Sequence, residues 1–154
     1  MNATAQAFAE DTTLKTSVLD AGRIREIQEG LGSYARLSGA QEAALLDPTG
    51  AVLARWEGSQ RAAELDGLGV LATASFSATQ ALAQQLGDTT FGGICHQGKQ
   101  HCLYLAPLLR GYMLLTLHPT NARIQDMRQS LVRIVPRLNQ QLVQPSSEAT
   151  PLSA

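Results

Sequence analysis

Between Gly67 and Gly87 the chain carries no charged side chain. The intervening residues read LGVLATASFSATQALAQQL, a run with helical periodicity over about Asp66 to Leu86. A helix on the surface of a globular domain ordinarily turns a charged face to water. This one has none to turn. Leu68, Leu71, Ser75, Ala78, Leu82 and Leu86 form one stripe, expected to face the domain's own sheet. Val70, Ala74, Ser77 and Ala81 form a second stripe of mostly small residues, which lets another backbone approach closely. The expectation is burial on two sides, one against the sheet and one against a partner.

The elements around this helix fix the fold class. Asp20 is a plausible N-cap for an amphipathic helix in which Ile24, Ile27, Leu31, Tyr34 and Leu37 recur every three or four residues, and Ser38-Gly39 ends it. Two short strands, about Glu42–Asp47 and Ala51–Trp56, flank Asp47-Pro48-Thr49-Gly50, whose residue types suit a tight turn. Gly87 stops the uncharged helix. Three strands follow, about Thr90–Gln97, Gln100–Ala106 and Tyr112–Leu117. The last helix starts near Asn121, with Ile124, Met127, Leu131, Ile134, Leu138 and Leu142 on its stripe. Pro136 should kink or break it near Arg133. Short links within each strand group imply antiparallel pairing. The expected fold is α+β, a mainly antiparallel five-stranded sheet with helices on both faces in the order α-β-β-α-β-β-β-α. Residues 1–18 read as a flexible leader, 19–143 as one domain and 144–154 as a disordered tail.

Composition removes several classes of function. The 154 residues fit one domain with a real core, and a net charge of −1 favours neither nucleic acid nor an anionic membrane. Arg123, Arg128, Arg133 and Arg137 spread around the last helix and read as a solvated basic face. No apolar run approaches a membrane span and no secretory signal opens the chain, so a cytoplasmic address is expected. Phosphate loops, dinucleotide fingerprints and nucleophile elbows are missing, so no catalytic residue, cofactor or metal is expected. His118, at the end of the fifth strand and ahead of Pro119, reads as a loop histidine rather than a base.

One stretch looks like ligand chemistry. CHQGKQHC, residues 95–102, holds both cysteines and two of the three histidines. A two-residue turn at Gly98-Lys99 would set His96 opposite His101 and Cys95 opposite Cys102. Strand alternation then puts the histidines on one face and the cysteines on the other, so the four cannot share a tetrahedral ion. What is left is a facing thiol pair, Cys95 and Cys102, within reach of a disulfide.

EAALLDPTGAVLARW resembles the opening hairpin of the Roadblock/dynein light chain family. The uncharged helix with Ala-Thr-Gln-Ala-Leu, its Leu-Gly end, and the strand leading into a polar hairpin and an apolar strand are similar to the rest of that domain. The Ser77–Ala83 run and His96-Gln97-Gly98 resemble the bacterial MglB-type branch most. The resemblance covers about Asp20 to Leu142. It implies a profilin- or longin-like architecture and a homodimer, in which the third strands of two protomers join edge to edge and the central helices pack together. It also implies a non-enzymatic dimer that scaffolds or regulates a Ras-like small GTPase, in MglB-like members by stimulating hydrolysis. On this basis Val70, Ala74, Ser77, Ala81, Ile94 and His96 are candidate dimer residues. Thr73, Gln80 and Gln84 are candidate partner contacts. Two rival readings are a small-ligand sensor and a thiol- or metal-responsive module built on Cys95 and Cys102.

Overall fold

The computed structural model describes residues 19–58 and 65–144, so the expected leader and tail lie outside the described residues, apart from Gln144. The order is α1 (Ala21–Ser38), β1 (Glu42–Leu46), β2 (Val52–Glu57), α2 (Leu65–Gln85), β3 (Ile94–Gln97), β4 (Cys102–Pro107), β5 (Met113–His118) and α3 (Ile124–Val143). The strands form one sheet in the order β2-β1-β5-β4-β3, antiparallel throughout. The α+β architecture expected from the sequence is the one found.

Local chemistry sets the boundaries. The Asp20 carboxylate accepts the Arg23 N–H at 2.7 Å, and Gly39, at φ 75°, closes α1 by donating to the Ala35 carbonyl. Asp47 organises the β1–β2 turn by accepting from the Thr49 N–H at 2.8 Å, the Thr49 hydroxyl at 2.6 Å and the Ala51 N–H at 3.0 Å. Partial burial pushes the Asp47 carboxyl upward, but these bonds outweigh it and hold its pKa below the usual value.

The two faces of the sheet are covered unequally. Ala43, Leu45, Ala54, Tyr104, Ala106 and Leu114 meet α1 and α3 in one apolar cluster. On the other face Ala44, Leu46, Leu105, Met113, Leu115 and Leu117 meet only α2, through Leu65, Ala72 and the half-buried Leu68 and Phe76. A close backbone contact seats α2 here. A Cβ on Gly69 would run into the Gly50 carbonyl oxygen, and one on Gly50 would stand 2.8 Å from the Gly69 oxygen and the Val70 Cα.

Three sequence expectations need correction. First, the break allowed for near Arg133 does not occur, and α3 is one continuous helix through Pro136. Pro136 cannot donate to the Val132 carbonyl, but Val132 sits on the exposed side, and Ile134 and Leu138 hold the helix to the sheet on both sides of the proline. Secondly, His118 stands at the end of the fifth strand, as expected, but is a buried sheet residue and not a loop histidine. It ends β5 fully buried, pairs across strands with Cys102, and its Nε2 lies 3.0 Å from the Thr116 hydroxyl. Burial pushes its pKa down to about 4. Thirdly, the stripe assigned to the sheet is mostly outside, as described below.

Two predictions follow from this packing. Gly69→Val should cost about 2–3 kcal/mol in urea unfolding, because the hairpin backbone leaves no room for a side chain. For His118 the folded pKa lies below the unfolded one, so its neutral form contributes fully above pH 6.5 and that contribution is lost as pH falls toward about 4. His118→Leu should therefore flatten the stability loss between those pH values by up to about 3 kcal/mol. An unchanged pH slope in denaturant titrations of the variant would remove His118 from this account.

Candidate interaction surface

The face of α2 that turns away from the sheet is apolar and open. Leu71 and Leu82 are 66% and 61% exposed, Val70 is 55%, and Leu86, just past the helix, is 73%. Ser75 and Ala78 are exposed as well, so of the stripe expected to face the sheet only Leu68 does so. The sheet takes Leu65, Gly69, Ala72 and Phe76 instead, with Thr79 and Ala83 half-buried behind them. Past Asp66 the helix carries no charge, so two neighbouring sides are nearly equally apolar and periodicity cannot choose between them. The Gly50–Gly69 contact makes the choice, because it needs the side with no Cβ to meet the hairpin.

The candidate dimer residues Val70, Ala74, Ser77 and Ala81 are all exposed on α2 and form a band continuous with Leu71, Ala78 and Leu82. Two of the hydroxyls on this helix are satisfied within it. Ser77 donates to the Thr73 carbonyl at 3.0 Å and Thr79 to the Ser75 carbonyl at 2.9 Å. Such back-bonding leaves these side chains less need of water, and at Ser77 it makes the band more apolar than its composition suggests.

At one edge of the sheet the outer side of β3 pairs with no strand among the described residues. The other edge, β2, carries Arg55 and Glu57, with Arg55 Nε 2.7 Å from Glu57 Oε1 and Arg55 Nη2 3.2 Å from the buried Glu42. Charged edges discourage strand addition, whereas β3, Ile-Cys-His-Gln, has no charge and no proline. Ile94 is half-buried against the α2 cluster and His96 is exposed.

Thr73, Gln80 and Gln84 lie together as expected of a contact site. They form one wall of a groove of about 440 Å³ between α2, the loop before β3 and the β4–β5 turn. Phe76 stacks on Phe91 in that groove, with ring centroids 4.7 Å apart. The Thr73 hydroxyl is buried there without a partner. Phe91, Asp88 and Tyr112 complete the groove and were not legible in the sequence, because loop residues have no periodicity to reveal them.

The 95–102 hairpin differs from its expected register. Gly98 donates to the His101 carbonyl at 2.9 Å, which closes a four-residue loop. Cys102 therefore pairs with Gln97, Leu103 with His96 and Tyr104 with Cys95. The two registers differ by two residues, and strand alternation has period two, so the hydrophobic pattern could not separate them. Cys95 and Cys102 are diagonal neighbours, a relation that puts Cα atoms about 7–8 Å apart, beyond the usual disulfide span. Both are free thiols. Burial pushes the Cys95 thiol up, Cys102 adds to the shift and Arg128 opposes it, so this is not the low-pKa thiol a redox site needs. Among the described residues no three His, Cys, Asp or Glu side chains gather as metal ligands.

A family model described as the Roadblock/LC7 domain matches residues 26–118, from the second turn of α1 to the end of β5. The chain belongs to the Roadblock/LC7 domain family. Among solved structures, the gliding protein MglB from Thermus thermophilus is 29% identical with a TM-score of 0.74, over 81% of this chain and 94% of that one. A structure described as MglB with tetrameric arrangement is also 29% identical, with a TM-score of 0.75 over 81% and 93% of the two chains. A Roadblock/LC7 domain from Streptomyces avermitilis, 15% identical with a TM-score of 0.66 over 76% and 98%, shares the fold. No curated protein sequence matches. The Roadblock assignment places α2 and β3 within the matched domain and α3 outside it. Among the described residues no helix is long and apolar enough to cross a membrane.

If the open band of α2 is an interface, Leu82→Glu should leave the fold intact, because Leu82 touches solvent rather than core, and should raise solubility at high concentration. Circular dichroism and a turbidity series would show this.

Proposed function

We propose that this chain is a homodimeric regulator or scaffold of a Ras-like small GTPase, with stimulation of GTP hydrolysis as its specific activity. The reading rests chiefly on one observation, the exposed apolar face of α2, together with an uncharged β3 edge whose outer side pairs with no strand among the described residues. Membership of the Roadblock/LC7 family and the likeness to MglB support it.

In this reading β3 pairs with β3 of a second copy across a twofold axis. Ile94 and His96 lie on the joined strands. Val70, Ala74, Ser77 and Ala81, with Leu71 and Leu82 beside them, pack against the same helix of the other protomer. Ala and Ser at these positions let the two helix backbones come close, and burying the leucines contributes about 1.5–3 kcal/mol per side chain. The GTPase then contacts Thr73, Gln80 and Gln84 in the flanking groove. The amides suit a regulator that repositions a partner's own groups, since they can exchange hydrogen bonds without supplying charge. The protein acts on the GTPase without a catalytic residue of its own, in a cytoplasmic setting.

Purified protein mixed with each small GTPase of its source organism tests the activity. The expected result is faster GTP hydrolysis with one of them, reduced at least about tenfold by Gln80→Ala together with Gln84→Ala. Hydrolysis unchanged for every GTPase would defeat the activator role, and failure of every GTPase to bind would defeat the scaffold role as well.

A further inference from the structure

The layer opposite α2 is charged, and its charges are unbalanced. The α3 helix has three arginines against one aspartate, and α1 has three arginines against two glutamates, in a chain whose net charge is −1. Between these two helices runs a groove of about 400 Å³. Arg133 and Arg137, one helical turn apart on α3, line it. Neither makes an ion pair among the described residues. The one carboxylate lining the groove, Asp126, is engaged by Arg123 at 2.9 Å. The Arg137 guanidinium lies against Gly30 on α1, its Cζ 3.6 Å from where a Cβ would stand, an ordinary contact distance. The floor is apolar, from Tyr34 and Ile134, with Leu37 81% exposed at the rim.

We propose that the α1–α3 groove binds an acidic segment of a second protein, with carboxylates on Arg133 and Arg137 and an apolar side chain over Tyr34 and Ile134. A guanidinium meets a carboxylate through two parallel N–H···O bonds, and two guanidiniums one turn apart set the spacing of the carboxylates they accept. The recessed apolar floor suits a side chain better than a lipid surface. Two cations in a groove of this size are too few for the phosphate contacts that hold nucleic acid. The surface is on the other layer from α2, so this site is independent of the GTPase reading.

The test is fluorescence anisotropy of the full chain with a labelled peptide of alternating glutamate pairs and leucines. Arg133→Glu with Arg137→Glu should weaken binding at least about tenfold. Arg128→Glu, on the same helix but lining a different groove, should change it less than twofold. All three arginines are exposed, so the variants should fold, and circular dichroism would confirm it. Absence of peptide binding would overturn the proposal. So would an equal loss with Arg128→Glu, which would mean general charge attraction. Binding of phosphatidylserine vesicles or duplex DNA through Arg133 and Arg137, without peptide binding, would overturn it in favour of those ligands.

Discussion

The architecture depends on the place where the backbone of α2 touches the backbone of the β1–β2 turn. Gly50 and Gly69 meet there with no side chain between them. That contact sets how α2 is rotated on the sheet, and with it which residues are buried and which are shown. Asp47 holds the turn in the conformation that presents Gly50, at φ 89°, to the helix. A carboxylate in a four-residue turn and a glycine in the first turn and a half of a helix thus decide where four exposed apolar side chains point.

The two layers on the sheet have different chemistry. α1 and α3 seal one face between them and carry nearly all the helical charge. Among the described residues α2 alone covers the other face, and it shows an apolar back. With the apolar side of α2 turned outward, the molecule presents one surface suited to apolar packing and another suited to charge pairing.

Much of this could be read in the chain. Asp20, Gly39 and Asp47-Pro48-Thr49-Gly50 act locally, and they end helices and turn strands as their side chains dictate. The missing charge of α2 correctly marked an unusual surface. What could not be read depends on choices between equivalent patterns. The rotation of α2 was one, because Leu71 and Leu82 look as buriable as Ala72 and Phe76. The 95–102 register was another, since a shift of two residues keeps every side chain on its face, and the near-palindrome suggested the wrong one. Pro136 failed to break α3 because burial of Ile134 and Leu138 outweighs one lost backbone bond. The Phe76–Phe91 stack and Asp88 bring a loop against the helix, and no local pattern announces such a meeting.

The central claim is that a second copy covers α2 and extends the sheet at β3. Amide hydrogen exchange of Ile94–Gln97 as a function of protein concentration tests it most directly, because among the described residues the N–H groups on the outer edge of β3 have no strand to bond. The account predicts slow exchange at these outward amides at micromolar concentration, and fast exchange on dilution or in Leu71→Glu with Leu82→Glu. Fast exchange at every concentration, with a monomer mass throughout, would contradict it.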